Sequence, residues 1–597
     1  MPKDRFELVA AVEAAERDGS VIRAVGSGWS YPDVAIAPEV TVAVRTDMLN
    51  RVLSGNDTTS TETLIPFALK EGLRATPRNY VHVEAGIKIQ VLNCRLDEMG
   101  LALERLGGSN GQSIAGAIST STHGSDVDMR PIADQVRAIH LVGPGGLEWW
   151  IERGGDRAIT DPERLLQARD AGRLCADTRI VHHDELFNAV LVSVGRMGIV
   201  YSYVIEVVPA FLLKQEKRQV LRWEGASTII RMRRDQVPYT GPRFMEVIVD
   251  PYARSCVITL RSPSTEATVN EDGSDAFKFV CDVQAMNAVL TMILGLIPGL
   301  IAAATATAIA GVSPALLLIP GAFEIASSIA VTAATTGIIA LQTAIVAAIA
   351  APGDDLAQKM ASIVNMVVQL GHKDVLPKLV DALVRVERNP EAPVTVSKSF
   401  RLSTGQKACP AFEVPGECLR NIDGFEFALD LSVGSEKLFG FMDDVFALTD
   451  EFLSTNMPQA YGISLRFVRG TEALIGMQQF ARTCHAEFFF LRGVVGSADF
   501  YQRLYAIANK HDAIPHWGLI HEIDRSEIER LYGPRLNTWR AALRRLIDDG
   551  GGRDRTFSTS FSVSHGLEPG PIPLELAAPA TPADISYLMP LLLREVE

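Results

Sequence analysis

The sequence predicts a mixed helix-and-strand protein of two or three domains, and three observations support this fold class. The chain has 597 residues, whereas a single hydrophobic core stops growing near about 250–300 residues. Hydrophobic residues make up 47% of the chain and charged residues 21%, a composition that excludes a disordered or fibrous protein. Segments with helical spacing of apolar residues alternate with short β-like runs, beginning with residues 4–12 and 20–25.

The first of these segments predicts a helix near the N-terminus. Asp4 is a suitable N-cap, and Phe6, Leu8, Val9 and Val12 repeat at helical spacing. Acidic residues recur every few positions, so the segment lacks the uninterrupted apolar stretch of a signal peptide. We therefore expect a cytoplasmic protein.

Net charge and cysteine content exclude several classes of partner and site. The formal charge is −14, and no basic run offers a phosphate-binding face, so we expect no nucleic-acid partner. The seven cysteines are odd in number and never form a CxxC pair. Neither a disulfide framework nor a zinc site made of cysteines is indicated, and a reducing compartment fits this pattern best.

Two segments rich in small residues can line an extended polar ligand. The β-like run 20–25 leads into the loop 26–30, which reads GSGWS. Such a loop lets backbone N–H groups surround a pyrophosphate, although glycine turns after strands are common and the loop alone is a weak signal. A strand-turn-helix pattern at 81–103 and a Gly/Ser/Thr-rich stretch at 106–126 follow. Two chain segments are therefore available to contact the same ligand from both sides.

An apolar segment from Val283 to Gly353 contains a single charged residue, Glu324. Prolines divide it into helical pieces, of which residues 325–351 exceed the roughly 20 residues that span a bilayer. Three interpretations stay open: a buried helical hairpin, a peripheral membrane attachment, and a wall around a lipophilic substrate. The many small residues and the lack of flanking Lys/Arg clusters favour the hairpin.

Six motifs along the chain carry a family resemblance: VGSGWS (25–30), VEAGI (83–87), GLAL (100–103), SIAGAISTSTHGS (113–125), VGRMGIVYSYVIEVVPAF (194–211) and PHWG (515–518). They resemble the vanillyl-alcohol oxidase type of FAD-binding flavoenzyme, specifically its branch of sugar-lactone oxidases and alditol oxidases. The resemblance implies an α+β fold, in which both chain ends form the FAD-binding domain and an α+β cap domain covers the flavin. It places the FAD domain at 1–214, the cap with a large apolar helical insertion (about 283–353) at 215–515, and the return to the FAD domain with an irregular tail at 516–597.

The resemblance also implies how FAD is held. The family carries a histidine that bonds covalently to the flavin where this chain has Trp29, and an indole cannot form that bond, so we expect noncovalent FAD. Gly107 stands where a larger residue hinders oxygen in dehydrogenase relatives, which favours molecular oxygen as the electron acceptor. The implied FAD contacts are Gly26, Ser27, Gly28, Trp29, Ser30, Gly107, Ser113, Gly116, Ser119, Thr120, Thr122, His123, Gly124, Ser125, Gly195, Gly198 and Ile199.

Four positions of the substrate pocket depart from the family pattern. Ser464 replaces the glutamate of a Glu-x-Arg pair, and Leu519 replaces the lysine that follows HWG. Gly108 stands in place of a serine that meets substrate hydroxyls, and Glu487 in place of a histidine. Unpaired buried polar groups cost about 1–3 kcal/mol each, so a polyol site would not tolerate these changes. We expect a lipophilic, alcohol-like substrate that contacts Leu519 and the phenylalanines at 488–490.

Hydride transfer from an alcohol requires a base for the hydroxyl proton and a cation for developing negative charge. Glu487 is the candidate base and Arg466 the candidate cation, while His516 and His521 are reserve candidates. For Glu487 and Arg466 the alternative is an ordinary structural ion pair, and for His516 it is a packing role beside the flavin.

No metal site is predicted. The run His182-His183-Asp184-Glu185 contains ligand types, but its place before LFNAVL predicts the capped start of a helix. His123 is expected to contact backbone and phosphate.

Three functions are compatible with these residues. The first is an FAD-dependent oxidase that acts on a lipophilic alcohol and uses oxygen. The second is a membrane-associated dehydrogenase that passes electrons to a quinone, and the third is a flavin-binding protein without redox turnover. The oligomeric state is left open.

Overall fold

The computed structural model describes residues 1–53, 64–74, 79–216, 219–235, 240–270, 356–369, 376–377, 380–381, 394–406, 409 and 422–569. The apolar segment 283–353 and the Pro-rich C-terminal tail from residue 570 lie outside the described residues, so the interpretations of that segment stay predictions. Among the described residues, no helix combines the length and the apolar character needed to cross a membrane.

The N-terminal helix and the first strand form as predicted. Helix α1, Arg5–Arg17, is capped by Asp4, whose side chain accepts a hydrogen bond from the Glu7 N–H at 2.9 Å. Strand β1, Val21–Val25, pairs in parallel with β2, Val40–Arg45. The glycine loop begins directly after β1.

A five-stranded sheet forms the centre of the N-terminal part of the chain. Its order is β3-β8-β5-β6-β7, and its pairs are antiparallel except for β6 with β7. A separate short pair joins β4 to β9. The strands are β3 (Tyr80–Glu84), β4 (Leu101–Ala102), β5 (Val136–Val142), β6 (Glu148–Glu152), β7 (Arg179–His182), β8 (Ile199–Glu206) and β9 (Val208–Pro209). The helices are α2 (Glu71–Arg74), α3 (Ile89–Glu98), α4 (Ile114–Ser119), α5 (Pro162–Asp170) and α6 (Asp184–Leu191), with 3₁₀ turns at Ile132–Gln135, Pro144–Gly146 and Gly155–Arg157.

The start of α6 confirms the interpretation of the histidine-rich run. Nδ1 of His183 accepts a hydrogen bond from the Leu186 N–H at 3.3 Å, so this side chain caps a helix. Asp184 and Glu185 lie in the first turn, where the helix dipole favours negative charge.

A nine-stranded sheet follows, in the order β14-β10-β13-β12-β16-β17-β15-β18, with β11 paired to β13. The strands are β10 (Leu212–Gln215), β11 (Gln219–Arg222), β12 (Phe244–Val249), β13 (Ser255–Ser264), β14 (Thr395–Lys398), β15 (Ile422–Asp430), β16 (Tyr461–Arg469), β17 (Arg482–Leu491) and β18 (Ile514–Pro515). The helices of this region are α7 (Trp223–Asp235), α8 (Leu356–Gln369), α9 (Ser399–Thr404), α10 (Glu436–Ser454) and α11 (Ser497–Lys510). Because neighbouring strand residues point to opposite faces, one face of this sheet packs an apolar core and the other carries polar side chains.

The C-terminal helices return to the first sheet. They are α12 (Arg525–Tyr532), α13 (Pro534–Asp549) and α14 (Ser560–Ser564), and Trp539 of α13 donates a hydrogen bond to the Val192 carbonyl at 3.2 Å. The two ends of the chain also meet directly, since the Ile22 N–H bonds to the Thr556 carbonyl at 2.9 Å. This contact joins both ends around the strand that leads into the glycine loop.

A disulfide is present, although the number and spacing of the cysteines indicated no disulfide framework. Cys94 on α3 is bonded to Cys409, which is 315 residues away in the sequence. Gln406 donates hydrogen bonds to the backbone of Gln90 and to Sγ of Cys94, both at 3.0 Å. A bridge between such distant residues leaves no local spacing pattern, so counting cysteines could not find it.

Candidate functional site

A cavity of about 290 Å³ lies between the glycine-rich segments and the polar face of the nine-stranded sheet. The loop after β1 forms one wall, α4 and the residues after it form a second, and the turn before β8 forms a third. Of the residues expected to contact FAD, those that line the cavity are Gly26, Ser27, Gly28, Trp29, Ser30, Ser113, Gly116, Ser119, Thr120, Thr122, His123, Gly195 and Gly198.

The loop 26–30 fits a pyrophosphate. Within the described residues, the N–H groups of residues 27–30 donate to no protein acceptor, which leaves them available to phosphate oxygens. Gly28 has a φ of +71°, a left-handed conformation that favours glycine. At Gly26, a Cβ atom would lie 2.5 Å from Oγ of Ser113, so only glycine lets the two segments approach so closely.

Trp29, which the resemblance aligns with a flavin-linking histidine, lines the cavity. The indole packs against Gly111, where a Cβ atom would lie 2.3 Å from Cζ2 of the ring. A glycine at 111 therefore makes room for the larger side chain at 29.

Four expected FAD contacts do not line the cavity, and each has a structural role beside it. The absence of a side chain at Gly107 gives space to Thr122, since a Cβ there would lie 2.8 Å from Cγ2 of that residue. Gly124 allows the carbonyl of Leu106 to approach. Oγ of Ser125 accepts from the Phe467 N–H at 2.9 Å and donates to the Met245 carbonyl. The remaining residue, Ile199, belongs to the apolar core beneath α1.

Arg466 lies at the cap side of the cavity between two carboxylates. Its Nε is 3.2 Å from Oε1 of Glu246, and its Nη2 is 2.9 Å from Oε2 of Glu487. Ser464, where the family has glutamate, donates to the same oxygen of Glu246 at 3.1 Å. The carboxylate that seemed lost is thus supplied by the neighbouring strand β12.

Glu487 is buried at the end of this network. Burial raises the pKa of the Glu487 carboxyl to about 7, while Arg466 opposes this rise and Glu426 adds to it. Arg466 stays charged, because the two carboxylates outweigh the effect of burial and raise its pKa. A carboxyl group that titrates near neutral pH beside a fixed cation can act as a proton acceptor.

Next to Glu487, three further buried groups converge. Nε2 of His123 contacts Oε1 of Glu426, and Nδ1 of His485 lies 2.8 Å from the same oxygen. The two imidazole rings stack with their centroids 3.5 Å apart. Residues of these types can hold a metal ion. Both nitrogens, however, lie at hydrogen-bond distance from one oxygen, and we interpret the cluster as a hydrogen-bonded network.

His516 lines the cavity, but His521 does not. Nδ1 of His516 accepts from the Gly518 N–H at 2.9 Å, and burial lowers its pKa to about 4, so the ring is neutral. The ring of His521 packs edge-on against Trp517 and His565, with centroids 5.9 and 5.3 Å away. His521 is therefore dropped as a candidate, because its ring packs against Trp517 and His565 and is not part of the cavity wall.

The aromatic wall expected for a lipophilic substrate is also wrong. Phe488 and Phe490 belong to the buried core on the opposite face of the nine-stranded sheet, and Phe489 contacts Gly462 rather than the cavity. Of the residues proposed for that wall, Leu519 lines the cavity.

Comparisons with known proteins agree with this geometry. A family model described as an FAD binding domain matches residues 1–151, and a model described as D-arabinono-1,4-lactone oxidase matches residues 417–552. The D-arabinono-1,4-lactone oxidase of Eremothecium gossypii is 29% identical over 257 residues, which are 43% of this chain and 39% of that protein. The L-gulono-1,4-lactone dehydrogenase of Mycobacterium tuberculosis is 28% identical over 255 residues, 42% of this chain and 46% of that protein. These matches span less than half the length of the curated relatives.

Solved structures share the fold over nearly the whole chain. Cholesterol oxidase from Brevibacterium sterolicum superposes with a TM-score of 0.55 at 12% identity and covers 94% of this chain and 93% of that one. A solvent-stable cholesterol oxidase gives a TM-score of 0.55 at 13% identity, with 95% and 94% covered. At this identity the likeness concerns the fold alone.

Proposed function

Because the chain is an FAD-binding flavoprotein of the sugar-lactone oxidase branch, we propose that it oxidises an alcohol carbon of a compact hydroxylated substrate, a sugar lactone or a close analogue. One observation carries this proposal. A single cavity joins the pyrophosphate-type loop 26–30 to the buried pair of Glu487 and Arg466.

Each side chain at the cap end has a task in such a reaction. Bound FAD supplies the acceptor for two electrons and one hydrogen from the substrate C–H bond. Glu487 accepts the hydroxyl proton, because its pKa near 7 lets it be ionised before the reaction and protonated after it. Arg466 stabilises the negative charge that develops on the substrate oxygen.

His516 is arranged to orient the substrate oxygen. Its Nδ1 accepts a hydrogen bond from Gly518, so in the neutral ring Nε2 carries the hydrogen. That N–H group belongs to a residue of the cavity wall and can donate to a hydroxyl or carbonyl oxygen. An uncharged N–H donor of this kind suits an uncharged oxygen of the substrate.

The polarity of the cap end supports a hydroxylated substrate over a lipophilic one. Arg466, Glu487, Glu426 and His516 all line the cavity. An apolar molecule would displace water from these groups without offering hydrogen bonds, at a cost of about 1–3 kcal/mol for each polar atom left unpaired. One of the departures that favoured a lipophilic alcohol, Ser464 in place of glutamate, is compensated by Glu246, which bonds both Ser464 and Arg466.

Anaerobic titration of the purified yellow protein tests this function. Aldonolactones should bleach the flavin absorption, whereas long-chain alcohols and sterols should not, and Glu487→Gln should bleach much more slowly while it keeps its FAD. Bleaching by the lipophilic alcohols alone would contradict the proposal. Intact FAD binding without bleaching by any substrate would favour a flavin protein without redox turnover.

The electron acceptor is tested on the same protein after bleaching. We propose oxygen, since the relatives that the chain resembles include D-arabinono-1,4-lactone oxidases. Return of the flavin bands on mixing with oxygen, with release of hydrogen peroxide, is the expected result. Return only with a quinone analogue would identify a dehydrogenase.

Noncovalent attachment of FAD is tested by acid precipitation. The yellow colour should remain in the supernatant, because Trp29 cannot form the histidine link of the family. In Trp29→His, a nucleophile lies at the linking position, and part of the flavin should stay with the precipitate. Complete release from that variant would contradict the placement of residue 29 beside the flavin.

A further inference from the structure

Two buried carboxylates face each other across neighbouring strands of the cap sheet. Glu426 on β15 is the direct partner of Glu487 on β17 in the antiparallel register. Directly opposed residues have Cβ atoms about 4.5–5.5 Å apart. Two carboxylates at such a separation in a buried site do not both ionise easily, so one of them raises the proton affinity of the other.

Hydrogen bonding decides which of the two stays ionised. His123 and His485 both contact Oε1 of Glu426, and although burial alone would raise it, these contacts hold the pKa of Glu426 well below its usual range. Glu487 has Arg466 as its ion-pair partner, and that guanidinium is shared with Glu246. The charge is therefore fixed on Glu426 and variable on Glu487.

Both ring nitrogens of His123 have partners, which fix the position of the ring beside Glu426. Its Nδ1 lies 2.8 Å from the carbonyl oxygen of Gly124, and a carbonyl can only accept, so Nδ1 carries a hydrogen. The second ring nitrogen faces the carboxylate of Glu426. This contact holds His123 and Glu426 together as a buried pair.

We propose that Glu426, held in place by His123 and His485, is a positioning residue that acts through Glu487 by keeping a carboxylate directly opposite it. This inference rests on the proposed function, in which Glu487 takes the substrate hydroxyl proton while two electrons and the hydrogen of the C–H bond pass to FAD. Neither His123 nor Glu426 exchanges a proton with the substrate in this scheme.

Several other charged groups act on Glu487, and the experiment must separate the effect of Glu426 from the effects of those groups. All of these groups lie near Glu487, but Glu426 is the residue of β15 that pairs directly with Glu487. The charged and titratable groups that face Glu487 from the surrounding elements are Arg466, Glu246, Glu426, His123, His485 and Tyr31.

The experiment is an infrared pH titration of the FAD-loaded protein. The carbonyl band of a protonated carboxylic acid is distinct from carboxylate bands, and its loss in Glu487→Gln identifies the band of Glu487. In Glu426→Gln the amide keeps an acceptor for His123 but removes the charge, so the midpoint of the Glu487 band should fall by at least about one pH unit. The acid limb of the kcat/KM profile should move with it.

Two control variants separate charge from packing. Glu426→Asp keeps the carboxylate, and its midpoint should stay near that of the wild type. Asp423→Asn removes a charge from the same strand, where Asp423 pairs with Arg492 at 2.8 Å outside the cavity, and it should leave the midpoint unchanged. An equal midpoint in wild type and Glu426→Gln would overturn the inference. If no substrate is oxidised, the infrared midpoints still decide it, so its failure is distinguishable from failure of the proposed function.

Discussion

The close packing of Gly111 against Trp29 makes a quantitative prediction about FAD binding. A Cβ atom at position 111 would lie 2.3 Å from Cζ2 and 2.8 Å from Cε2 of the indole, well inside the ordinary contact distance of about 3.5–4.0 Å. The ring must move, and the open side available to it is the cavity that Trp29 lines. Overpacking of this kind costs about 1–3 kcal/mol. Since about 1.4 kcal/mol is tenfold in affinity, Gly111→Ala should weaken FAD binding roughly 5- to 150-fold.

The assay is fluorescence titration of the apoprotein with FAD. Gly72→Ala is the matched control, because Gly72 lies in α2 and a Cβ there meets no atom within 4 Å. In the Trp29→His background the smaller ring leaves room, so adding Gly111→Ala should change the affinity less than about twofold. Unchanged affinity in the single variant, or an equal loss in both backgrounds, would refute the reasoning that places the indole between Gly111 and the cofactor.

Three further changes probe the carboxylates and the disulfide. Glu487→Gln should lower kcat/KM by about 10²–10⁴-fold. Burial raises the pKa of Glu487 from 4.5 in the unfolded chain to about 7 in the folded protein. The contribution of the protonated Glu487 to stability is therefore complete below pH 4.5 and is lost as the pH rises toward 7. In thermal unfolding, the wild type should lose stability relative to the variant between pH 4.5 and 7. Glu246→Gln should shift the acid limb of the kcat/KM profile to lower pH, since Glu246 raises the Glu487 pKa, and an unshifted limb would contradict this. Cys94→Ser should lower the free energy of unfolding by about 2–5 kcal/mol, measured by urea unfolding, whereas equal midpoints would indicate that no bridge to Cys409 forms in solution.

Local sequence patterns were sufficient for the strand and glycine loop at 20–30 and for two helix starts. The loop 26–30 follows a short strand, and its two glycines are readable from the printed sequence. The capped helix at Asp184 and the helix after Asp4 likewise depend on residues within one turn of each other. Such features need no knowledge of how distant segments pair.

The cap side could be predicted only in part, because its contacts cross the chain. Glu246 and Arg466 are strand partners separated by 220 residues, and nothing in either strand specifies the other. A usable signal was nevertheless present: Glu246 and Glu426 each interrupt a strand whose neighbours are apolar, as in FMEVIV and FEFAL. A charge in such a strand faces away from the apolar core.

The same alternation explains the error about the phenylalanines. On β17, Glu487 and Phe488 are adjacent, so their side chains must point to opposite faces. Placing Glu487 in the site therefore excludes Phe488 and Phe490 from it, as the core on the other face shows. Strand periodicity alone would have excluded Phe488 and Phe490 from the proposed substrate wall.

The charge balance of the cavity predicts that the substrate is neutral. Arg466 is already shared by Glu246 and Glu487, and Glu426 adds a third carboxylate. At about 5 Å and an effective dielectric of about 20, each like-charge pair costs about 3 kcal/mol. A ring-opened aldonate should therefore bind at least about tenfold more weakly than its lactone, measured as Kd by flavin difference spectra at pH 8. Glu246→Gln should reduce the difference in Kd between the aldonate and the lactone, because Arg466 then has one carboxylate partner fewer. Equal binding of acid and lactone to the wild type would mean that Arg466 leaves its carboxylate partners to bind the substrate.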